Sequence, residues 1–94
     1  MQINIQSLHF KASEQLETFV QEKAEKLSRH SDKVITCDVI LKLDNATDGE
    51  NKVCEIRLHI PGNDLFAKRQ CKTFEEAAAE SIDAIHEQLL RRKE

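Results

Sequence analysis

Ile35-Thr36-Cys37-Asp38-Val39-Ile40-Leu41-Lys42-Leu43 and, after a polar stretch, Cys54-Glu55-Ile56-Arg57-Leu58-His59-Ile60 alternate apolar and polar residues. Side chains at this period point to opposite faces of a β-strand. Ile35, Cys37, Val39, Leu41, Leu43, Cys54, Ile56, Leu58 and Ile60 are therefore expected on one face. Thr36, Asp38, Lys42, Glu55, Arg57 and His59 are expected on the other. One face of such a sheet needs a cover. Residues 13–30 carry Leu16, Phe19, Val20, Ala24 and Leu27, and residues 73–93 carry Phe74, Ala78, Ile82, Ile85 and Leu89. Both sets recur at three- and four-residue steps, the pattern of amphipathic helices. The expected class is α+β, a two-layer domain with two helices on one face of the sheet.

The remaining elements follow from local signals. Ile3 and Ile5 alternate with Gln2, Asn4 and Gln6, which reads as a short first strand. Ser13 followed by Glu14 and Glu17 reads as a helix N-cap with acids in the first turn, and Thr73 is suited to cap the last helix. Residues 44–51 are polar and turn-rich, a hairpin loop, and Pro61-Gly62-Asn63-Asp64 is a tight turn between two strands. The order is β-α-β-β-β-α. A strand, crossover helix and strand are most simply parallel, and the later hairpins are antiparallel, so a four-stranded mixed sheet is expected.

With 94 residues the chain suits one small domain spanning 1–94, burying about 60 to 65% of the surface its unfolded form exposes. At 39% hydrophobic and 33% charged residues it reads as a globular domain rather than a disordered one. The N-terminal residues lack a basic and apolar targeting pattern, and no apolar stretch is long enough to span a bilayer. A cytoplasmic location is the expectation. Cys37, Cys54 and Cys71 are an odd count without a C-x-x-C pair, which suits a reducing compartment. Cys37 and Cys54 fall on the core-facing alternation and read as small hydrophobes rather than metal ligands. No metal and no cofactor are expected.

Motifs for catalysis are missing. His9, His30, His59 and His86 are scattered, there is no H-E-x-x-H or G-x-S-x-G, and two glycines leave little for a phosphate-cradling loop. A non-enzyme is expected. Cations say more than the net charge of -3. At about 100° per residue, with Leu16 at zero, Lys23 falls near 340°, Lys26 near 280°, Arg29 near 220° and, if the helix runs so far, Lys33 near 260°. Glu14, Glu17 and Glu25 fall between about 100° and 180°, leaving Glu22 as the acid on the basic side. Lys68, Arg69 and Lys72 form a second cluster on the fourth strand and its exit, and Arg91-Arg92-Lys93 a third. Cations along one surface suit phosphate contacts. The same residues also have bland roles, because cations offset the macrodipole at helix C-termini and lysines protect edge strands.

The whole chain resembles the ribosome hibernation promoting factors, also called ribosome-associated translation inhibitors, in their short single-domain form. The residues that carry the resemblance are Met1-Gln2-Ile3-Asn4-Ile5, Phe19-Val20-Gln21-Glu22-Lys23-Ala24-Glu25-Lys26-Leu27, Ser31-Asp32-Lys33-Val34, Val39-Ile40-Leu41-Lys42-Leu43, Pro61-Gly62-Asn63-Asp64-Leu65 with Ala67, and Gln88-Leu89-Leu90-Arg91-Arg92-Lys93-Glu94. The resemblance implies a fold similar to double-stranded RNA-binding domains. It also implies binding to the small ribosomal subunit and its rRNA, in the channel for mRNA and tRNA, with translation inhibited in stationary phase or stress. It places Lys23, Lys26, Lys33, Arg91, Arg92 and Lys93 against ribosomal RNA. Where the family tends to read Asp-x-Tyr-x-Ala-Ile-Asp, this chain has Thr73-Phe74-Glu75-Glu76-Ala77-Ala78-Ala79.

The expected RNA-binding set is therefore Lys23, Lys26, Arg29, Lys33, Lys68, Arg69, Lys72, Arg91, Arg92 and Lys93. The expected partners are the small subunit and its rRNA, with no DNA, no membrane and a monomeric state off the ribosome. Two rival readings stand beside this one. One is a stand-alone RNA-binding domain with other targets, and the other a protein-interaction module working through an open sheet face that exposes Ile40 and Phe66.

Overall fold

The computed structural model describes residues 1–29, 34–45 and 49–91. Its elements are β1 (Gln2–Leu8), α1 (Glu14–Ser28), β2 (Thr36–Leu43), β3 (Lys52–Ile60), β4 (Asn63–Cys71) and α2 (Phe74–Arg91). The strands form one four-stranded sheet in the order β1-β2-β3-β4. β1 runs parallel to β2, and β2, β3 and β4 are antiparallel neighbours. The register pairs Ile5 with Val39, Val39 with Ile56, and Ile56 with Ala67, so one apolar row crosses all the strands.

Local chemistry sets the boundaries. The Ser13 hydroxyl accepts the Leu16 amide at 3.1 Å to cap α1, and the Thr73 hydroxyl accepts the Glu76 amide at 3.1 Å to cap α2. Both satisfy amides that a helix start leaves without partners. Gly62 turns β3 into β4 with φ +82°, a region open to glycine at little cost. The loop after β2 is closed by the Asp44 amide donating to the Asn51 carbonyl at 2.9 Å; its residues 46–48 lie outside the described set.

Both helices pack on one face. Val20, Ala24 and Leu27 of α1 and Ala77, Ala78 and Ile85 of α2 meet Cys37, Val39, Leu41, Cys54, Ile56 and Leu58 of the sheet, all essentially without exposure. The small residues of α2 let it approach β3 closely. Ser81 is buried there, and its hydroxyl donates to the Cys54 carbonyl at 3.1 Å, which satisfies a polar group in an apolar layer. One expectation fails. Ile35 is 58% exposed although its backbone bonds to Gln2 and His59, because it lies at the very end of the sheet, where Val34, 7% exposed, closes the core instead.

The connections fix where the helix ends lie. β1 and β4 both deliver the chain to the same end of the sheet, where α1 and α2 begin and the rings of Phe10 and Phe74 stack with centroids 4.4 Å apart. Both helices then run back and terminate at the opposite end, beside the Pro61-Gly62 turn and the start of β2.

Candidate nucleic-acid interface

The shared direction of the helices brings two of the three basic clusters to one end. Lys26 lies in the last turn of α1, Arg29 is its C-cap residue, and Arg91 ends α2. Cations here meet the negative ends of two helix macrodipoles. Lys26, Arg29 and Arg91 are exposed and Lys23 is half-buried. None of the four forms an ion pair among the described residues. Lys33, Arg92 and Lys93 lie outside the described residues.

Helix rotation decides which way these cations face. Glu17 and Gln21 share a recess with Ile3 and Ile5 of β1, so that flank of α1 lies over the sheet's outer edge. Phe19, Lys23 and Lys26 occupy the other flank, turned toward α2. The Lys23 ammonium stands 5.5 Å from the centre of the Phe19 ring, an attraction worth about 0.5 to 1 kcal/mol at an exposed site. It holds the charge over the valley between the helices. On α2, Glu80 and Glu87 share a recess with Arg69 of β4, which sends those carboxylates to the far side. His86 borders the same recess as Glu80 and Glu87, and the flank of α2 that carries Ala79 also carries Glu75 one turn earlier, so it is the last turn of α2, with Arg91 and no acid, that the α1 cations meet.

The second cluster separates. Lys68 and Arg69 are adjacent on a strand and project from opposite faces. Lys68 stands on the uncovered face, its ammonium 3.9 Å from the Glu55 carboxylate, which Lys42 approaches to 2.7 Å. Arg69 lies on the helix side against Glu80, Asp83 and Glu87, and donates to the Lys68 carbonyl at 2.8 Å. Lys72 sits just beyond β4, at the end where the helices begin. The fold therefore gathers Lys23, Lys26, Arg29 and Arg91 and leaves Lys68, Arg69 and Lys72 elsewhere. The acids also divide: α2 carries Glu75, Glu76, Glu80, Asp83 and Glu87 against Arg91 alone.

The uncovered sheet face holds a network that the sequence pattern alone does not assemble. Asn4 donates to Asp38 Oδ1 at 2.9 Å, His59 Nε2 meets Asp38 Oδ2 at 2.9 Å, and His59 Nδ1 meets Asp64 Oδ1 at 3.1 Å. These residues come one from each strand. The two carboxylates raise the His59 pKa above its ordinary value, chiefly through the Asp38 hydrogen bond, and the hydrogen bond from Asn4 leads in lowering that of Asp38. Beside the network Arg57 lies 5.6 Å from the ring centre of Phe66, which is 46% exposed, while Ile40 is half-buried. Cross-strand register would have found the Asp38 and Asp64 contacts, given the pairing of Thr36 with His59 and of His59 with Asp64. Among the described residues no group of His, Cys, Asp and Glu is arranged to hold a metal ion, and no helix is long and apolar enough to cross a membrane.

Known proteins resemble the chain over nearly its full length. The family described as "Sigma 54 modulation protein / S30EA ribosomal protein" matches residues 3–94. A ribosome hibernation promoting factor of Pseudomonas putida is 31% identical over 94 residues, covering 100% of this chain and 88% of that protein. A protein of the same name from Azotobacter vinelandii is 28% identical, with 100% and 84% covered. In structure, the N-terminal domain of Thermus thermophilus Protein Y superposes with a TM-score of 0.82 at 21% identity, over 97% of this chain and 98% of that one. A ribosomal subunit interface protein from Coxiella burnetii superposes with a TM-score of 0.86 at 14% identity, over 97% and 96%.

Proposed function

Because the chain belongs to the sigma 54 modulation protein / S30EA ribosomal protein family, whose hibernation factors bind ribosomes and are not enzymes, we propose that it acts as a hibernation factor. In this reading it binds the rRNA of the small subunit in the mRNA and tRNA channel and holds ribosomes inactive in the cytoplasm during stationary phase or stress. Off the ribosome it is a monomer. Contact runs through Lys23, Lys26 and Arg29 of α1 and through Arg91, continued by Lys33, Arg92 and Lys93.

The observation that carries this reading is the shared C-terminal end of the helices, where cations without carboxylate partners among the described residues border the last turn of α2, which carries Arg91 and no acid. A folded protein with net charge -3 meets phosphates where cations locally outnumber acids, as they do at the C-terminal ends of the two helices. Binding by this surface releases counterions, so affinity falls steeply with salt. Lys68, Arg69 and Lys72 take no part in that surface.

The test is sedimentation of the purified protein with isolated small subunits, isolated large subunits and free structured RNA. Salt-sensitive co-sedimentation with small subunits, together with inhibition of translation of a synthetic message, is the expected result. Equal binding to free RNA would favour the stand-alone RNA-binding domain. Binding that salt does not weaken would favour a protein-interaction module.

A further inference from the structure

The two edges of the sheet are finished differently. On β4 the outward carbonyl of Phe66 accepts the Gln88 side chain at 2.9 Å, and that of Lys68 accepts Arg69 at 2.8 Å. That edge is capped by side chains. On β1 the Gln2 amide donates inward to Ile35 at 3.2 Å, so in the parallel ladder the backbone groups of Ile3, Ile5 and Ser7 point outward. Among the described residues no side chain caps them and no strand pairs with them. The sequence of β1, Gln2 to Leu8, holds no charge, proline or glycine, so it lacks the usual protections of an edge.

Directly above this open edge lies a recess floored by Ile3 and Ile5 and walled by Glu17, Thr18, Gln21 and Glu22 of α1. We propose that the β1 edge and this recess form a docking groove for an extended, basic polypeptide segment of another protein, which adds as a fifth strand. Main-chain bonds to Ile3, Ile5 and Ser7 hold it, and alternate side chains enter the recess. Apolar ones meet Ile3 and Ile5, and lysines or arginines meet Glu17 and Glu22. Charge selects this occupant over a second copy of the chain. Two-fold pairing of β1 with itself would set the acidic flanks of two α1 helices side by side, with no cation in β1 to separate them. The groove opens on the Glu17 and Gln21 flank of α1, away from Lys23, with Glu22 on the outer surface of the helix between it and Lys26, so one helix offers an anionic and a cationic side to two chemically different partners.

The experiment uses the full chain and a blocked peptide Val-Thr-Lys-Thr-Val-Thr-Lys, which presents valine and lysine in turn to the recess face, followed by fluorescence anisotropy and amide hydrogen exchange, without ribosomes. Binding should newly protect the amides of Ile3, Ile5 and Ser7, whereas those of Gln2, Asn4 and Gln6 are protected in the free protein. Glu17→Gln with Glu22→Gln should weaken binding about fivefold or more, because two exposed ion pairs of modest strength are removed together. Ile5→Pro, which removes an outward amide at an edge that tolerates proline, should abolish it. A valine and glutamate peptide should not bind. The proposal is overturned if the lysine peptide fails to bind, if the glutamate peptide binds as well, or if the Glu17/Glu22 variant binds like wild type. It is equally overturned if the wild-type chain dimerises through β1 in sedimentation velocity and Ile5→Pro is monomeric.

Discussion

The His59 imidazole and the Asp38 carboxylate approach to 2.9 Å across β3 and β2, while the other ring nitrogen of His59 meets Asp64 at 3.1 Å. Carboxylates only accept, and a neutral imidazole has one N–H to donate, so both contacts are hydrogen bonds only in the imidazolium form. The arrangement ties three strands together when His59 is charged.

Stability should therefore depend on pH through this pair. The folded pKa of His59 is raised above 6.5, so its contribution is fully present below about 6.5 and is lost as pH rises through the folded value. The pKa of Asp38 is lowered from 3.8, so its contribution is present above that value and lost as pH falls through the folded one. Urea unfolding across about pH 4 to 9 should show wild type gaining over His59→Gln at mildly acid pH and the gap closing toward alkaline pH. A gap that does not change with pH would show that the ring is not held as an imidazolium.

Packing predicts a sharp contrast between two isoleucines. Ile56 is fully buried between the helices and the sheet, so Ile56→Ala should cost about 2 to 5 kcal/mol. Ile35 is 58% exposed, and Ile35→Ala should change stability by no more than about 0.5 kcal/mol. Chemical denaturation of the two variants checks both, and equal effects would mean the register around β2 is wrong.

That contrast also marks how far the chain could be read without coordinates. The alternation from Cys37 to Leu43 and from Cys54 to Ile60 located two strands and their buried faces, because a two-residue period survives any tertiary arrangement. It failed at Ile35, whose backbone bonds to Gln2 and His59 but whose side chain lies at the end of the sheet, where Val34 closes the core in its place. Helical periodicity likewise separated Lys23 and Lys26 from Glu17. Adjacency in sequence misled for Lys68 and Arg69, since neighbours on a strand part company. The His59 network and the two unlike sheet edges depend on register and on long-range contacts such as Gln88 with Phe66, which no local pattern encodes.

The three cysteines are buried free thiols. Desolvation pushes Cys37 and Cys54 up to about 12, and burial, then the hydrogen bond to Glu80, raises Cys71. Thiolate is the reactive form, so a disulfide-exchange reagent near neutral pH should leave all three unmodified until denaturant is added. Rapid modification of the native protein, or stoichiometric zinc in intact-mass and metal analysis, would contradict their packing role.

The central claim is that the α2-facing flank of α1 and the helix C-termini meet ribosomal RNA, and salt-dependent binding to isolated small subunits tests it most directly. Replacing Lys23, Lys26 and Arg29 with alanine should weaken binding and flatten the slope of log affinity against log salt by about 0.7 to 0.9 for each phosphate no longer engaged. Lys68→Ala, and Glu14→Gln with Glu25→Gln, should leave affinity and slope within error of wild type, since these residues stand on the uncovered sheet face and on the acidic side of α1. All variants should remain folded, because exposed charges contribute little to stability. If the triple variant binds with the wild-type slope, or if Lys68→Ala weakens binding as much as the triple replacement does, the RNA surface lies elsewhere.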